Sequence, residues 1–199
     1  MTLNVRRARV VFDGQSLNVV PGPVTTFPYR TMRYYPNVPY SLNDVAVSGT
    51  SWTVLNANAP QRVDPLASLA PFTILNMCGG TSDLWAPELN DGPTVYADMV
   101  AYANARRTAG FDYVIAVTIA PSTTFDATQE SNRVSANSLI MADASNAFDA
   151  QVDFAGIPQL TDPNNTTYYF DGTHYTGPAT ILCAAALAPA MGTALKLAG

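Results

Sequence analysis

Short apolar segments separated by longer, helix-forming stretches are the feature that most restricts the fold of this chain. The segments are rich in Val and Ile, as expected of strands that are buried on both faces of a sheet. Strands that alternate with helices form a mainly parallel sheet, because each crossover places a helix on one face. The pattern therefore predicts a three-layer α/β/α sandwich around a five-stranded, mainly parallel sheet. The predicted strands are Ala8–Phe12, Asp44–Val47, Phe72–Met77, Tyr113–Ile119 and Gln151–Phe154.

Capping residues predict the helices between these strands. Asp91 and Pro93 predict the start of one helix, and Gly110 predicts its end. Thr128 predicts the start of a second helix, and Pro178 the start of a C-terminal one. The apolar residues expected on the buried face of the second helix are Val134, Met141 and Phe148.

Length and composition fit one domain spanning residues 1–199. The formal net charge is -5 and no basic run occurs, which argues against nucleic acid as a partner. The Ala-rich stretch Ile181–Leu197 contains a proline and a glycine, so we expect a buried helix and no membrane span. Cys78 and Cys183 lack metal-site spacing and are expected to be buried free thiols. The composition leaves a homo-oligomer or an assembly partner open.

One histidine, His174, is the candidate general base of the chain. It follows Asp171 by three residues, and in a tight turn a carboxylate at that spacing can orient an imidazole. The Asp-x-x-His pattern is weak by itself, since a lone histidine is more often structural.

Three serines that follow predicted strands are candidate nucleophiles, in the triplets Gly14-Gln15-Ser16, Gly49-Thr50-Ser51 and Gly80-Thr81-Ser82. A serine just beyond a strand lies where open α/β sheets bind ligands. None of the triplets completes Gly-x-Ser-x-Gly, so the nucleophile elbow of α/β-hydrolases is absent. Spacing alone does not choose among the three, because each serine can also cap the helix that follows.

Four segments, in order, resemble the sequence blocks of the SGNH (GDSL-like) hydrolase family. Val10–Asn18 resembles the nucleophile block, Ala46–Gly49 the second block, Gly79–Leu84 the third and Asp171–His174 the last, ahead of an Ala/Leu-rich C-terminal helix. Gln15 replaces the usual Asp, and the Gly-Gln-Ser triplet is similar to a subset that includes carbohydrate acetylesterases. The order and spacing match over nearly the whole chain. The resemblance implies a flavodoxin-like strand order, 2-1-3-4-5.

The resemblance also implies a serine esterase that needs no metal or cofactor. Ser16 would be the nucleophile, with Asp171 and His174 completing the catalytic triad. The backbone N–H groups of Ser16 and Gly49 would bind the oxyanion. Ser82 stands where the family has an Asn whose amide is a third donor; a Ser hydroxyl can donate too, but it has a shorter reach. The expected substrate is a small acyl ester, such as an acetyl ester on a carbohydrate.

The stretch Pro21–Tyr40 holds five prolines and five aromatic residues without a clear period. It is predicted to be a long ordered loop, and such loops often carry function. Because it follows the nucleophile block, we predict that Tyr34 and Tyr35 contact the substrate. The alternative is that these rings only pack the loop onto the sheet.

Two other functions remain open at this point. One is a non-catalytic binding or structural module of a phage particle or surface assembly that retains a hydrolase fold. The other is a thioesterase or lysophospholipase, although the sequence has no Leu- and Phe-rich lid. The segment Met1–Arg9 carries three arginines but no apolar stretch before a cleavage site, so we expect no signal peptide. The chain would then act in the cytoplasm or as part of a phage particle.

Overall fold

The computed structural model describes residues 8–19, 25–85 and 87–199. Most of the segment Met1–Arg9, in which we expect no signal peptide, lies outside the described residues. Pro21 and Pro23, at the start of the proline-rich stretch, also lie outside them.

A five-stranded sheet forms the middle layer of the fold. Its strands are β1 (Ala8–Gly14), β2 (Tyr40–Asp44), β3 (Phe72–Cys78), β4 (Tyr113–Val117) and β5 (Ala150–Val152). Every neighbouring pair is parallel, and the order is β2-β1-β3-β4-β5. The predicted fold class is confirmed, as is the strand order that the resemblance implied.

Helices cover both faces of this sheet. They are α1 (Ser16–Val19), α2 (Phe27–Met32), α3 (Trp52–Arg62), α4 (Thr81–Leu84), α5 (Gly92–Ala109), α6 (Ala127–Ala142) and α7 (Gly177–Leu197), with 3-10 turns at Asp64–Leu69 and Pro158–Leu160. Helices α2 and α7 share one apolar core, and α3, α5 and α6 share the other. In β1, Val10 and Phe12 belong to the first core and Val11 to the second, so the strand is buried on both faces.

The predicted ends of α5 are confirmed, whereas the predicted start of α6 is wrong. The Asp91 side chain accepts from the N–H of Thr94, and Gly110 ends α5 in the left-handed region. Helix α6 is capped by Asp126, two residues before the predicted Thr128. Asp126 is the cap because it forms a reciprocal capping box with Gln129, three residues further along the chain.

The predicted buried face of α6 is also wrong. Val134 and Met141 are exposed, and Phe148 lies beyond the end of the helix. The buried residues of α6 include Arg133 and Asn137, whose side chains both donate to the carbonyl oxygen of Ile119. Polar side chains that satisfy a buried loop cannot be found from an apolar repeat.

The second strand, β2, spans Tyr40–Asp44, so the predicted strand Asp44–Val47 lies too far toward the C-terminus and shares only Asp44 with it. This edge strand is half-buried along its whole length and lacks the Val-rich pattern of the inner strands. The N–H groups of Val45 and Val47 still donate to carbonyl oxygens of β1, at 2.9 Å each. The chain therefore follows β1 beyond β2, but without a regular ladder.

Part of the stretch predicted as a loop, Pro21–Tyr40, is the short helix α2. Pro28 lies in its first turn, where the missing N–H costs no hydrogen bond. The Phe27 ring is fully buried and makes edge contacts with Phe12 and Phe154 at centroid distances of 6.0 and 5.2 Å. The Phe27 ring and Met32, both buried in the same apolar core, thus anchor this segment to the sheet.

The C-terminal helix α7 begins at Gly177 with Pro178 in its first turn, as predicted. Within the described residues, α7 is the one helix long and apolar enough to cross a membrane, and half of its most apolar window is buried in the fold. Cys183 on this helix and Cys78 on β3 are buried free thiols, which confirms the expectation.

Candidate active site

A tight turn after β1 places Ser16 at the carboxyl edge of the sheet. A Cβ at Gly14, where φ is +138°, would lie 1.8 Å from the carbonyl oxygen of Cys78 at the end of β3. Only glycine allows this approach. The N–H of Gln15 donates to the same oxygen at 2.9 Å, as does the Asn18 side chain at 3.2 Å. The half-buried Ser16 then opens helix α1.

His174 lies between Ser16 and Asp171, within hydrogen-bond distance of both. Its Nε2 is 2.9 Å from Ser16 Oγ, and its Nδ1 is 2.7 Å from Asp171 Oδ2. The other carboxylate oxygen accepts from the N–H groups of Thr173 and His174, at 2.9 and 2.7 Å. The fold therefore joins three residues from opposite ends of the chain in one linear array.

Hydrogen bonds keep the Asp171 carboxylate ionised although it sits in a turn. Partial burial alone would raise its pKa, but the N–H groups of His174 and Thr173 outweigh this and hold the pKa below the ordinary value. An ionised Asp171 accepts the Nδ1 proton, which leaves Nε2 free to accept from the Ser16 hydroxyl. An imidazole held in this way can withdraw the serine proton.

The segment that follows β4 supports the loop carrying Asp171 and His174. The hydroxyls of Ser122 and Thr173 are 2.6 Å apart, and the N–H of Thr123 donates to the carbonyl oxygen of Gly172 at 3.0 Å. Gly172 has a φ of +80°, and a Cβ there would lie 2.0 Å from Thr123 Oγ1. The loop that carries Asp171 and His174 therefore packs against a second loop and is not held by its own turn alone.

Gly49 and Ser82 lie in two other segments of the chain, both joined by hydrogen bonds of Gln15 to the turn that carries Ser16. Gly49 is exposed with a φ of +70°, and Ser82 lies buried in α4. Among the described residues, the N–H groups of Ser16 and Gly49 donate to no protein group. Donors that are free in this way can bind an oxyanion. In the described part of the chain the hydroxyl of Ser82 likewise has no hydrogen-bond partner, so it too can donate.

Asp83 is a fully buried carboxylate next to Ser82. Its Oδ1 accepts from the N–H of Trp52 at 2.8 Å, and its Oδ2 accepts from Gln15 Nε2 at 3.0 Å. Burial raises its pKa to about 6, although the hydrogen bonds from Trp52 and Gln15 oppose that rise. At neutral pH the residue is an ionised acceptor for two donors.

The structure does not support the prediction that Tyr34 and Tyr35 contact the substrate. The Tyr35 hydroxyl donates to the carbonyl oxygen of Ala188, and its ring packs against Gly192. Ala188 lies eleven residues beyond Gly177, which at 1.5 Å per residue is about 16 Å along α7 from its site-facing end. Tyr34, half-exposed, adjoins Tyr35 at this far end. The alternative interpretation, packing of the segment, is what the structure shows for Tyr35.

Sequence reasoning missed Phe170, an exposed ring beside the site. It stacks on the His174 imidazole with a centroid distance of 5.6 Å and an interplanar angle of 19°. The ring also lines a cavity of about 290 Å³ that Thr123 and Asn164 border. The signal that could have found Phe170 is its position directly before Asp171. Among the described residues, no group of three or more His, Cys, Asp or Glu side chains could hold a metal ion.

No model of a known protein family matches the sequence, and no curated protein matches it. Solved structures do match. A lipolytic protein of the G-D-S-L family from Veillonella parvula is 15% identical, with a TM-score of 0.76 over 93% of this chain and 98% of that chain. A GDSL-like lipase from Bacteroides thetaiotaomicron is 18% identical, with a TM-score of 0.69 over 94% and 88%. A variant of an acetyl xylan esterase from Geobacillus stearothermophilus is 15% identical, with a TM-score of 0.70 over 92% and 94%.

The chain therefore has the fold of the SGNH hydrolases. This confirms, at the level of the fold, the resemblance that the four sequence blocks indicated. The roles of the individual site residues are taken up below as proposals.

The raised pKa of Asp83 predicts a pH dependence of folding stability. The pKa of Asp83 is near 3.8 in the unfolded chain and about 6 in the folded state, so the folded state holds the proton more tightly. The window in which this difference matters therefore runs from about pH 3.8 to about pH 6. The contribution of Asp83 to the free energy of unfolding is therefore present below the unfolded pKa and is lost as pH rises through this window. Asp83→Asn should remove that decrease, as measured by urea unfolding at about pH 4.5 and about pH 7.

The matched control is Asp91→Asn, which alters an exposed cap. Asp91 has a pKa below the ordinary value because of its hydrogen bonds to Thr94, so it stays ionised across the window. Its substitution should leave the change in stability between the two pH values as it is in the parent protein. An equal effect of both substitutions would contradict the assignment to Asp83.

Proposed function

We propose that this chain is a serine ester hydrolase of the SGNH class, with Ser16 as nucleophile, His174 as general base and acid, and Asp171 as the group that orients the imidazole. The observation that carries the proposal is the unbroken array Asp171–His174–Ser16, with contacts of 2.7 and 2.9 Å. The SGNH fold and the names of its solved neighbours support the same chemistry.

The reaction proceeds in two acyl-transfer steps. Ser16 Oγ attacks the ester carbonyl carbon while His174 Nε2 takes the hydroxyl proton, and the tetrahedral intermediate collapses as the imidazolium protonates the leaving alcohol oxygen. A water molecule then gives a proton to His174 and attacks the acyl-serine. Collapse of the second intermediate releases the carboxylic acid and returns the proton to Ser16. Asp171 remains ionised throughout and stabilises the imidazolium.

Three groups from three segments of the chain would stabilise the oxyanion. Among the residues that the structure describes, the N–H groups of Ser16 and Gly49 have no protein acceptor, and the Ser82 hydroxyl would be the third donor. Donors placed in advance lower the barrier because they need no reorganisation as the charge develops. The free N–H groups support the role of the first two, and the short reach of a hydroxyl makes Ser82 the weakest of the three.

The substrate class that we propose is a short acyl ester, with an acetyl group on a carbohydrate as the specific case. The solved neighbours include acetyl xylan esterases, which supports an acetyl ester. The exposed Phe170 ring and the cavity that it shares with Thr123 and Asn164 offer an apolar face beside polar groups. Sugars present the same combination of C–H faces and hydroxyls, and aromatic rings bind them at low entropic cost.

Ser16→Ala is the primary test of the proposed function. Removing the nucleophile should lower kcat for p-nitrophenyl acetate by about 10⁴–10⁶-fold, with little change in the melting temperature. The control is Ser51→Ala, since Ser51 is a buried residue that precedes α3 and is the serine of a similar Gly-x-Ser triplet. It should keep most of the activity. Loss of activity in Ser51→Ala but not in Ser16→Ala would refute the choice of nucleophile, and an inactive parent protein would favour a non-catalytic module.

Ser82→Asn tests the third oxyanion donor. If the hydroxyl donates poorly, the longer side-chain amide should raise kcat by about 10-fold, since one oxyanion donor is typically worth about 10²–10³-fold. Single-turnover kinetics measure this without interference from product release. Ser82→Ala is the companion variant, and it should lower kcat only modestly. A large loss in Ser82→Ala together with no gain in Ser82→Asn would show that the hydroxyl is already an effective donor.

Phe170→Ala tests the carbohydrate part of the proposal. The variant should lose more kcat/KM on an acetylated xylooligosaccharide than on p-nitrophenyl acetate, because only the larger substrate needs the ring face. Tyr34→Ala is the matched control, an equally exposed aromatic residue at the far end of the fold. It should change neither value. Equal losses of Phe170→Ala on both substrates would limit the ring to supporting His174 and remove the support for a sugar site.

A further inference from the structure

Gln15 is buried, with 2% of its surface exposed, although it directly precedes the proposed nucleophile. Its side chain therefore faces the protein interior. It makes three hydrogen bonds there: Nε2 donates to the carbonyl oxygen of Thr50 at 2.7 Å and to Asp83 Oδ2 at 3.0 Å, while Oε1 accepts from the N–H of Ser82 at 3.1 Å. Every hydrogen-bonding atom of this amide is thus used.

The partners of Gln15 belong to the segments that carry the three oxyanion donors. Thr50 follows Gly49, Ser82 is itself the third donor, and Gln15 precedes Ser16. A single planar amide therefore links these three segments by direct hydrogen bonds. Small shifts of such donors matter, because oxyanion stabilisation depends on their distance from the reacting oxygen.

Asp83 allows only one orientation of this amide. Its carboxylate is held from the other side by the N–H of Trp52 at the start of α3, so its position is set independently of Gln15. A reversed amide would point Oε1 at the Asp83 carboxylate and at a carbonyl oxygen, and would point Nε2 at the N–H of Ser82. Each of these contacts would set an acceptor against an acceptor or a donor against a donor, and buried polar groups without a hydrogen-bond partner destabilise the folded state.

The space around Gln15 is also matched to its side chain. A Cβ at Gly79 would lie 3.2 Å from both Cγ and Cδ of Gln15 and 3.0 Å from the Trp52 ring. Gly79 therefore makes room for an extended side chain at position 15. A carboxylate there would face the Asp83 carboxylate at hydrogen-bond distance and would lack the donor that Thr50 requires.

We propose that Gln15 is a positioning residue that holds the three oxyanion-donor segments in register, and that Asp83 fixes the orientation of its amide. The proposal rests on the proposed esterase function and deepens it. Neither residue touches the reacting atoms, so both act through Ser16, Gly49 and Ser82.

Gln15→Glu is the first variant of the test. It keeps the length of the side chain and the acceptor for the N–H of Ser82, but it sets two carboxylates against each other. We expect kcat for p-nitrophenyl acetate to fall by about 10²–10³-fold, the typical value of one oxyanion donor, while KM changes by less than about 3-fold because ground-state binding is little affected.

Asp83→Asn provides the conservative rescue. In the Gln15→Glu background, the Asn amide nitrogen can donate to the Glu carboxylate while its oxygen still accepts from Trp52. We expect kcat to recover by at least about 10-fold there, whereas Asp83→Asn alone should lower kcat because it sets two donors against each other. This reversal of sign in a double-mutant cycle measures the coupling directly.

Gln151→Glu is the matched control. Gln151 on β5 donates to the Asp143 carboxylate at 3.2 Å, so the substitution creates the same conflict away from the site. It should lower the melting temperature and leave kcat unchanged. The proposal is overturned if Asp83→Asn fails to restore kcat to Gln15→Glu, or if Gln151→Glu loses as much kcat. If Ser16→Ala also keeps full activity, the esterase function itself fails; if Ser16→Ala is inactive, only the positioning role is wrong.

Discussion

The close approach of β1 and β3 at Gly14 is the contact on which the geometry of the site depends. Because no side chain separates the strands there, the carbonyl oxygen of Cys78 can accept from both Gln15 and Asn18. These bonds turn the chain sharply out of the sheet and present Ser16 at its carboxyl edge. In open α/β folds this edge binds ligands where neighbouring connections leave in opposite directions, and β1 lies between β2 and β3 at such a point.

Buried polar groups at the end of β1 stabilise the strand directly before this turn. Asp13, fully buried at the end of β1, accepts two hydrogen bonds from Arg62, at 2.6 and 2.9 Å, and one from the Tyr102 hydroxyl. The Tyr102 hydroxyl has a strongly raised pKa because it is desolvated and faces this carboxylate. A buried carboxylate with these partners ties β1 to α3 and α5, and removing one partner of such a pair is costly.

Sequence reasoning was most successful where residues close together in the sequence determine the structure. The inner strands and both ends of α5 follow from short patterns, and the order of the four blocks led to the residues Ser16, Asp171 and His174 that the fold brings together. Their catalytic roles stay predictions. Sequence reasoning failed where tertiary contacts determine the structure. The edge strand β2 has no apolar pattern of its own, α6 buries polar residues, and Tyr35 packs against α7.

Gln15 shows the same limit at the site itself. Its residue type could be noted from the sequence as a departure, but its hydrogen bonds to Thr50, Ser82 and Asp83 join positions as many as 68 residues apart. No local pattern contains that information. Phe170, by contrast, adjoins Asp171 in the sequence and lay within reach of the same reasoning.

Trapping of the acyl-enzyme tests the central claim most directly. The protein is mixed with p-nitrophenyl acetate, quenched in acid within the first turnover and digested for mass spectrometry. The account predicts one acetyl group, on Ser16, that disappears on longer incubation as water releases it. An acetyl group on another residue, or none in a sample that hydrolyses the ester, would contradict it.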